Sequence, residues 1–141
     1  MCFLYLRDIS PRKRMERQLR SANQFLQNLI ESSVNGIIAA DMKGNIIIFN
    51  RAAEQLTGYR AEEVLGRLHV TQLYPPGMAK EIMRRLRSDQ YGGRGRLNPW
   101  DITIIDRQGR EIPISLSAFI LYQDGREVAS VGEEKVAIEI P

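Results

Sequence analysis

Residues 49–67 read Phe-Asn-Arg-Ala-Ala-Glu-Gln-Leu-Thr-Gly-Tyr-Arg-Ala-Glu-Glu-Val-Leu-Gly-Arg, and this stretch decides the fold. Asn50 is a good helix N-cap, and Gly58 can adopt the left-handed conformation that ends a helix. These two residues predict a short helix over residues 51–56. A second short helix is predicted over residues 60–65, where Gly66 ends it. The chain therefore has a helical middle, and we expect strands on both sides of it.

The segments that flank this helical middle have the pattern of strands joined by tight turns. Asp41 and Gly44 occupy the first turn, and the same spacing returns at Asp106 and Gly109. Asp can open such a turn, and Gly tolerates the positive φ that it needs. Hairpin connections of this kind imply an antiparallel sheet. The five predicted strands are residues 36–40, 46–49, 101–105, 111–121 and 127–140.

One longer helix is predicted between the two groups of strands, over residues 78–87. Its apolar residues recur at helical spacing, whereas basic residues occupy the other side. Residues 88–99 contain three glycines and are predicted to form a mobile loop. The whole pattern is that of an α+β fold. The apolar face of the long helix holds Ala79, Ile82, Met83 and Leu86.

In this order and spacing, the segments resemble a PAS domain. The resemblance covers residues 24–132 and implies a five-stranded antiparallel sheet, with short helices and one longer helix on one face. It also implies a sensory module of a bacterial-type signalling protein, either a sensor histidine kinase or a diguanylate cyclase, with flanking helices that carry the signal to the output domain. The single cysteine and the short apolar stretch at the start predict a cytoplasmic location. The matching segments are residues 30–38, 41–45, 49–59, 62–67 and 106–114.

The first 33 residues differ from the rest of the chain in charge and in glycine content. They hold six Lys and Arg against three Asp and Glu, which accounts for the net charge of +3, and all 11 glycines come later. A helix is predicted over residues 10–32, with Ser10 as its N-cap and Pro11 at its first position. Its apolar and small residues alternate at spacings of four and three, which is a heptad seam. The seam consists of Met15, Leu19, Ala22, Leu26 and Leu29.

This seam predicts a homodimer formed through the N-terminal helix, and the alternative is an amphipathic helix that packs on its own domain. A remote alternative is a basic helix that contacts nucleic acid or an anionic membrane. The cations fall around most of the helix, and the rest of the chain is neutral, so we expect no nucleic-acid partner. The longest apolar stretch near the start, residues 2–6, is too short to insert into a membrane.

Residues 7–16, Arg-Asp-Ile-Ser-Pro-Arg-Lys-Arg-Met-Glu, are similar to the motif at which many PAS domains end and a signalling helix begins. The resemblance implies that residues 1–9 are the last strand of a preceding PAS domain, residues 10–32 a signalling helix and residues 33–141 the PAS domain itself. Asp8 and Ser10 are implied to couple strand to helix. No second motif of this kind follows Gly132, so the incoming helix is the better supported connection.

The resemblance implies a cavity between the sheet and the long helix, but it leaves the cofactor unknown. Flavin-binding relatives form a photoadduct with a cysteine near residues 66–69, which read Gly-Arg-Leu-His, and Cys2 is the only cysteine here, so the adduct is excluded. Haem is not expected, because Ile82 stands where haem-binding relatives carry their axial histidine. The candidate cavity residues, which could equally be plain core, are His69, Ile82, Met83, Leu86, Leu116 and Ala118.

No set of residues in the sequence indicates an enzyme. His69 is the only histidine and has no recognisable triad companion, so it is interpreted as a structural or surface residue, with ligand contact or pH sensing as the alternative. One His and one distant Cys do not make a metal site. The pairs at residues 62–63 and 133–134 are adjacent glutamates, which are expected to be solvated charges. We therefore expect a non-catalytic sensory and dimerisation module, with a ligand-free spacer that only transmits a signal as the alternative.

Overall fold

The computed structural model describes residues 11–136, and the chain divides into two compact units. The first contains helix α1 (Pro11–Ser32), and the second begins at Ser33. The predicted opening strand at residues 2–6 and the coupling residues Asp8 and Ser10 lie outside the described residues. All five residues of the predicted seam are exposed in this chain: Met15, Leu19, Ala22, Leu26 and Leu29.

The second unit is built on one five-stranded antiparallel sheet, as predicted. The strands lie in the order β2-β1-β5-β4-β3, so the last strand of the sequence is the central one. The predicted end of this strand, after residue 136, lies outside the described residues. The strands are β1 (Gly36–Asp41), β2 (Ile46–Phe49), β3 (Arg96–Ile105), β4 (Glu111–Gln123) and β5 (Arg126–Val136).

The two Asp-x-x-Gly turns form as predicted. In the first, Asp41 Oδ1 accepts hydrogen bonds from the backbone N–H groups of Lys43 and Asn45, both at 2.9 Å. Gly44 lies between them with a φ of +89°. Asp106 makes the same pair of bonds in the second turn, at 2.9 and 2.8 Å. The aspartate in each turn thus satisfies backbone donors that the tight bend leaves unpaired.

The helices lie between β2 and β3, and the predicted caps are present. Asn50 Oδ1 accepts from the N–H of Ala53 at 3.0 Å and also from that of Ile37 at 2.8 Å, so the cap joins the helix to β1. Gly58 ends the same helix with a φ of +80°. The elements are α2 (Arg51–Thr57), α3 (Ala61–Val64), a 3-10 helix (Val70–Leu73) and α4 (Met78–Arg87).

The prediction of a loop over residues 88–99 is wrong at its C-terminal end, because β3 already begins at Arg96. β3 is one of the two edge strands, and its pairing with β4 skips between Leu97 and Trp100. Pro99 falls in this irregularity, where its missing N–H costs no ladder hydrogen bond. The glycines and the proline indicate a loop, but the edge position lets the strand continue through them.

The core lies between the sheet and the helices. Helix α4 buries Ile82 and Leu86 against it, as its apolar spacing predicted, and Leu86 has no exposed surface. β4 contributes Ile114 and Leu116 from the sheet, both almost fully buried. The same packing positions the cavity described next.

Candidate functional site

A small cavity of about 50 Å³ lies between α4 and the sheet. Five of the six candidate cavity residues line it, because α4 and β4 face each other across the core. Tyr74, from the segment before α4, and Gly132, from the central strand, also line the cavity. The five candidates that line the cavity are Ile82, Met83, Leu86, Leu116 and Ala118.

The cavity adjoins a larger groove of about 690 Å³ that is open to solvent. The groove runs between the β1–β2 turn and the 3-10 helix on one side and α4 on the other. Cavity and groove share a wall that is mostly apolar. The shared residues are Ala40, Val70, Ala79, Met83 and Ser130.

His69, the sixth candidate, lines the groove and not the cavity. Its exposed ring donates from Nε2 to the Lys43 carbonyl at 2.7 Å. Nδ1 accepts from the Thr71 N–H at 3.3 Å and lies 2.8 Å from Thr71 Oγ1. Both ring nitrogens therefore have hydrogen-bond partners, with Nε2 as donor and Nδ1 as acceptor. In this structure His69 joins the first turn to the 3-10 helix, which agrees with its interpretation as a structural residue.

Four basic side chains surround the groove, and two of them are fixed by carboxylates. Arg84 donates to Glu81 from Nε at 2.9 Å and from Nη2 at 2.7 Å, and Arg85 donates to the same carboxylate at 3.0 Å. These bonds, that of Arg84 first, lower the pKa of Glu81 to about 2. Arg87 pairs with Glu127 at 2.8 Å. The rim of the groove is thus held by ion pairs that run along α4 and across to β5. The four basic side chains that line it are Lys43, Lys80, Arg84 and Arg87.

A buried acid lies beside the cavity, and the sequence prediction missed it. Glu134, on the central strand, is 1% exposed, so the prediction that it is a solvated charge is wrong. The hydroxyl of Tyr74, a cavity residue, donates to Glu134 Oε1 at 2.5 Å. Glu134 Oε2 is buried and has no hydrogen-bond partner among the described residues. A buried carboxyl group with only one of its oxygens satisfied is costly when it is charged.

Burial is the main cause of the altered titration of this pair. Desolvation raises the pKa of Glu134 to about 8, the Tyr74 hydrogen bond opposes this rise, and the charge of Glu133 adds to it. Burial also raises the pKa of Tyr74 well above its ordinary value, and Glu134 adds to that shift. At neutral pH the buried glutamate is therefore a protonated, neutral acid, which is the form that an apolar site favours.

The alternation of side chains along a strand could have revealed this residue. Neighbouring residues on a strand face opposite sides of the sheet, so Glu133 and Glu134 cannot both face solvent if one side is covered by helices. Glu133 faces outwards, where its Oε2 accepts from the Asn35 amide at 3.2 Å. The sequence alone did not show which side is covered at this point, because β5 is central only in the assembled sheet.

The family of the chain is shown by a match that includes every residue of the cavity wall. The family model described as PAS fold matches residues 24–132. The chain belongs to the PAS family. The match covers the same span as the sequence resemblance, and the five-stranded sheet with its helices is the expected fold, so the identification is confirmed.

Individual relatives agree with this assignment. A stretch of 65 residues, 43% of the chain, is 35% identical to the signal transduction histidine-protein kinase AtoS of Escherichia coli K12, and it spans 10% of that kinase. The PAS domain of a protein from Colwellia psychrerythraea has a TM-score of 0.69 at 22% identity, with 82% of this chain and 96% of that one covered. The PAS domain of a two-component sensor histidine kinase has a TM-score of 0.64 at 15% identity, with the same coverage. At these identities the two structures show the fold alone.

Two further observations concern the described residues of this chain, 11–136. Within that range no group of three or more His, Cys, Asp and Glu side chains is placed to hold a metal ion. In the same range, no helix is both long enough and apolar enough to cross a membrane.

Proposed function

We propose that this PAS domain is a non-catalytic sensory and dimerisation module of a cytoplasmic, bacterial-type signalling protein. It perceives a small ligand or cellular signal and relays it through flanking helices to a histidine kinase or cyclase output. The observation that carries the proposal is the open groove of about 690 Å³ beside α4, which shares a mostly apolar wall with the small cavity under that helix. The similarity to the kinase AtoS supports the output class.

The ligand part of this proposal is tested on the chain purified from cells. Native mass spectrometry and an absorption spectrum are recorded on the same sample, followed by mass spectrometry after denaturation. A bound mass that is lost on denaturation supports ligand perception. A colourless protein of apo mass supports the second candidate, a ligand-free spacer that dimerises and transmits. The volume of about 50 Å³ favours that second candidate, since it has room for only a few waters.

The dimerisation part rests on the exposed stripe of α1. Leu19 and Leu26 are 63% and 54% exposed in the single chain, and they lie at the same seam position one heptad apart. An exposed apolar stripe of this kind, seen here among the described residues, is the surface that a second α1 would bury. The proposal is that two copies pair through this seam, with residues 10–32 acting as the signalling helix between residues 1–9 and residues 33–141.

The test compares two substitutions that add the same charge to α1. Leu26→Glu places a carboxylate in the seam, whereas Gln24→Glu places it on the outer face of the same helix. Sedimentation equilibrium of the full chain is expected to give a dimer for the parent and for Gln24→Glu, and a monomer for Leu26→Glu. A parent chain that sediments as a monomer, or a Leu26→Glu chain that remains a dimer, would overturn the assignment of the seam.

We do not propose that the basic side chains of α1 bind nucleic acid or an anionic membrane. Its cations are distributed around the helix, and Arg12 lies 3.6 Å from Glu16 in an exposed pair. DNA or anionic-vesicle binding that weakens steeply with salt would argue against this choice.

A further inference from the structure

Glu134 occupies a position where the neighbouring side chains on β1 and β4 cannot stabilise an ionised carboxylate. On β1 its cross-strand neighbour is Gly36, which has no side chain, and on β4 its neighbour is Leu116, which is apolar. From above the sheet it is contacted by the Tyr74 hydroxyl. No basic side chain among the described residues forms a hydrogen bond or a salt bridge with its carboxyl group. An ionised Glu134 would therefore keep one oxygen buried without a donor.

The pairing of β1 with β5 begins beside Glu134, which gives the ionised side chain a route to water. Gly36 is the first residue of β1, so the Gly36–Glu134 pair is the terminal pair of that ladder. Pairing at the end of a sheet opens locally at lower cost than pairing at its centre. A charged Glu134 can thus reach water if the pairing of β5 with β1 opens at this end, while the rest of the sheet stays intact.

The same end of the sheet is where the chain enters the domain. α1 ends at Ser32, with three residues between it and Gly36, and Asn35 in that short connection is bonded to Glu133. Opening of this pairing would free the connection that follows α1. The protonation state of Glu134 can therefore affect the segment that links α1 to the sheet, because that segment leads directly into the strand paired with Glu134.

We propose that Glu134 is a proton-binding site through which this PAS domain responds to pH, and that loss of its proton loosens the pairing of β5 with the start of β1. The inference deepens the proposed sensory function by naming the proton as a signal, and it rests on that function for its biological meaning. Two titratable groups act on this carboxyl group: Tyr74, which donates a hydrogen bond to it, and Glu133, whose charge acts from the other side of the strand.

The test is a pH titration of the full chain by nuclear magnetic resonance, with glutamate labelled at its carboxyl carbon. One carboxyl resonance is expected to titrate with a midpoint near pH 8, and the amide shifts of Gly36 and Ile38 are expected to follow the same midpoint. Both changes are expected to be absent in Glu134→Gln and present in Glu133→Gln, the matched control on the outer face. Tyr74→Phe is expected to move the midpoint to higher pH. The Tyr74 hydrogen bond stabilises the charged form of Glu134, and the substitution removes that bond.

Each outcome of this titration decides the inference. A parent chain in which every glutamate titrates near its ordinary value overturns it, and so does an amide titration that persists unchanged in Glu134→Gln. If Glu134→Gln does not fold, the labelled carboxyl group of the parent and the Tyr74→Phe shift still decide the question. The bound-mass and sedimentation experiments test the proposed function separately. A negative titration does not contradict the proposed function. A chain that is monomeric and ligand-free does not contradict the proton site.

Discussion

Replacing Gly44 with alanine is expected to destabilise the domain more than the same replacement of Gly109, although both glycines occupy equivalent Asp-x-x-Gly turns. Their φ angles are +89° and +83°, a region that residues with a Cβ atom rarely adopt. An alanine held there costs about 1–2 kcal/mol. This backbone cost is common to the two sites, so any further difference must come from what the new methyl group meets.

The surroundings of the two glycines differ sharply. A Cβ on Gly44 would lie 2.0 Å from His69 Nε2, whereas one on Gly109 would have no atom of residues 11–136 within 4 Å beyond its chain neighbours. The imidazole would have to move, and it would lose its bonds to the Lys43 carbonyl and to Thr71. Two lost hydrogen bonds cost about 0.5–1.5 kcal/mol each. The expected loss of stability is therefore about 2–5 kcal/mol for Gly44→Ala and about 1–2 kcal/mol for Gly109→Ala.

Urea unfolding followed by circular dichroism measures both losses, and a double-mutant cycle with His69→Ala assigns the difference. In the His69→Ala background, Gly44→Ala is expected to cost only the backbone strain of about 1–2 kcal/mol. Equal losses for Gly44→Ala and Gly109→Ala would refute the reasoning. A cost of Gly44→Ala that does not change when His69 is removed would refute it as well.

Two further predictions concern buried polar residues. The free energy of unfolding is expected to fall by about 1.4 kcal/mol per pH unit between about pH 4.5 and pH 8, because the folded chain keeps Glu134 protonated and the unfolded chain does not. Urea titrations at several pH values are expected to show this slope in the parent and in Glu133→Gln but not in Glu134→Gln, and parallel curves for all three would contradict it. Asn50→Ala is expected to lower the free energy of unfolding by about 2–4 kcal/mol in the same assay. The substitution removes the buried acceptor of the N–H groups of Ile37 and Ala53. A loss below about 0.5 kcal/mol would show that water replaces the cap.

The elements that the sequence predicts well are those specified by neighbouring residues. Asn50 and Gly58 define both ends of α2, and the Asp41 and Asp106 turns form from bonds within five residues of the chain. Such features need no knowledge of distant segments. The five candidate residues beside the cavity were also predictable, because the periodicity of α4 and the alternation of β4 fix which side chains face each other.

The features that the sequence did not predict depend on the order of strands in the finished sheet. β3 can run through Pro99 only because it is an edge strand, and an edge cannot be recognised before the sheet order is known. Glu134 is buried because β5 is inserted between β1 and β4, which places an apparently polar strand end under Tyr74. His69 lines the groove because a bridge with Asn45 holds it beside the first turn.

The central position of β5 also links the cavity to the proton site. Gly132 lines the cavity, and Glu134 lies two residues further along the same face of the same strand, bonded to the cavity residue Tyr74. A ligand that fills the cavity removes water from this face, which favours the neutral form of Glu134. By reciprocity, a proton on Glu134 must then favour that ligand by the same factor. The two proposed signals, a small molecule and a proton, would thus act on one strand and reinforce each other at its pairing with β1.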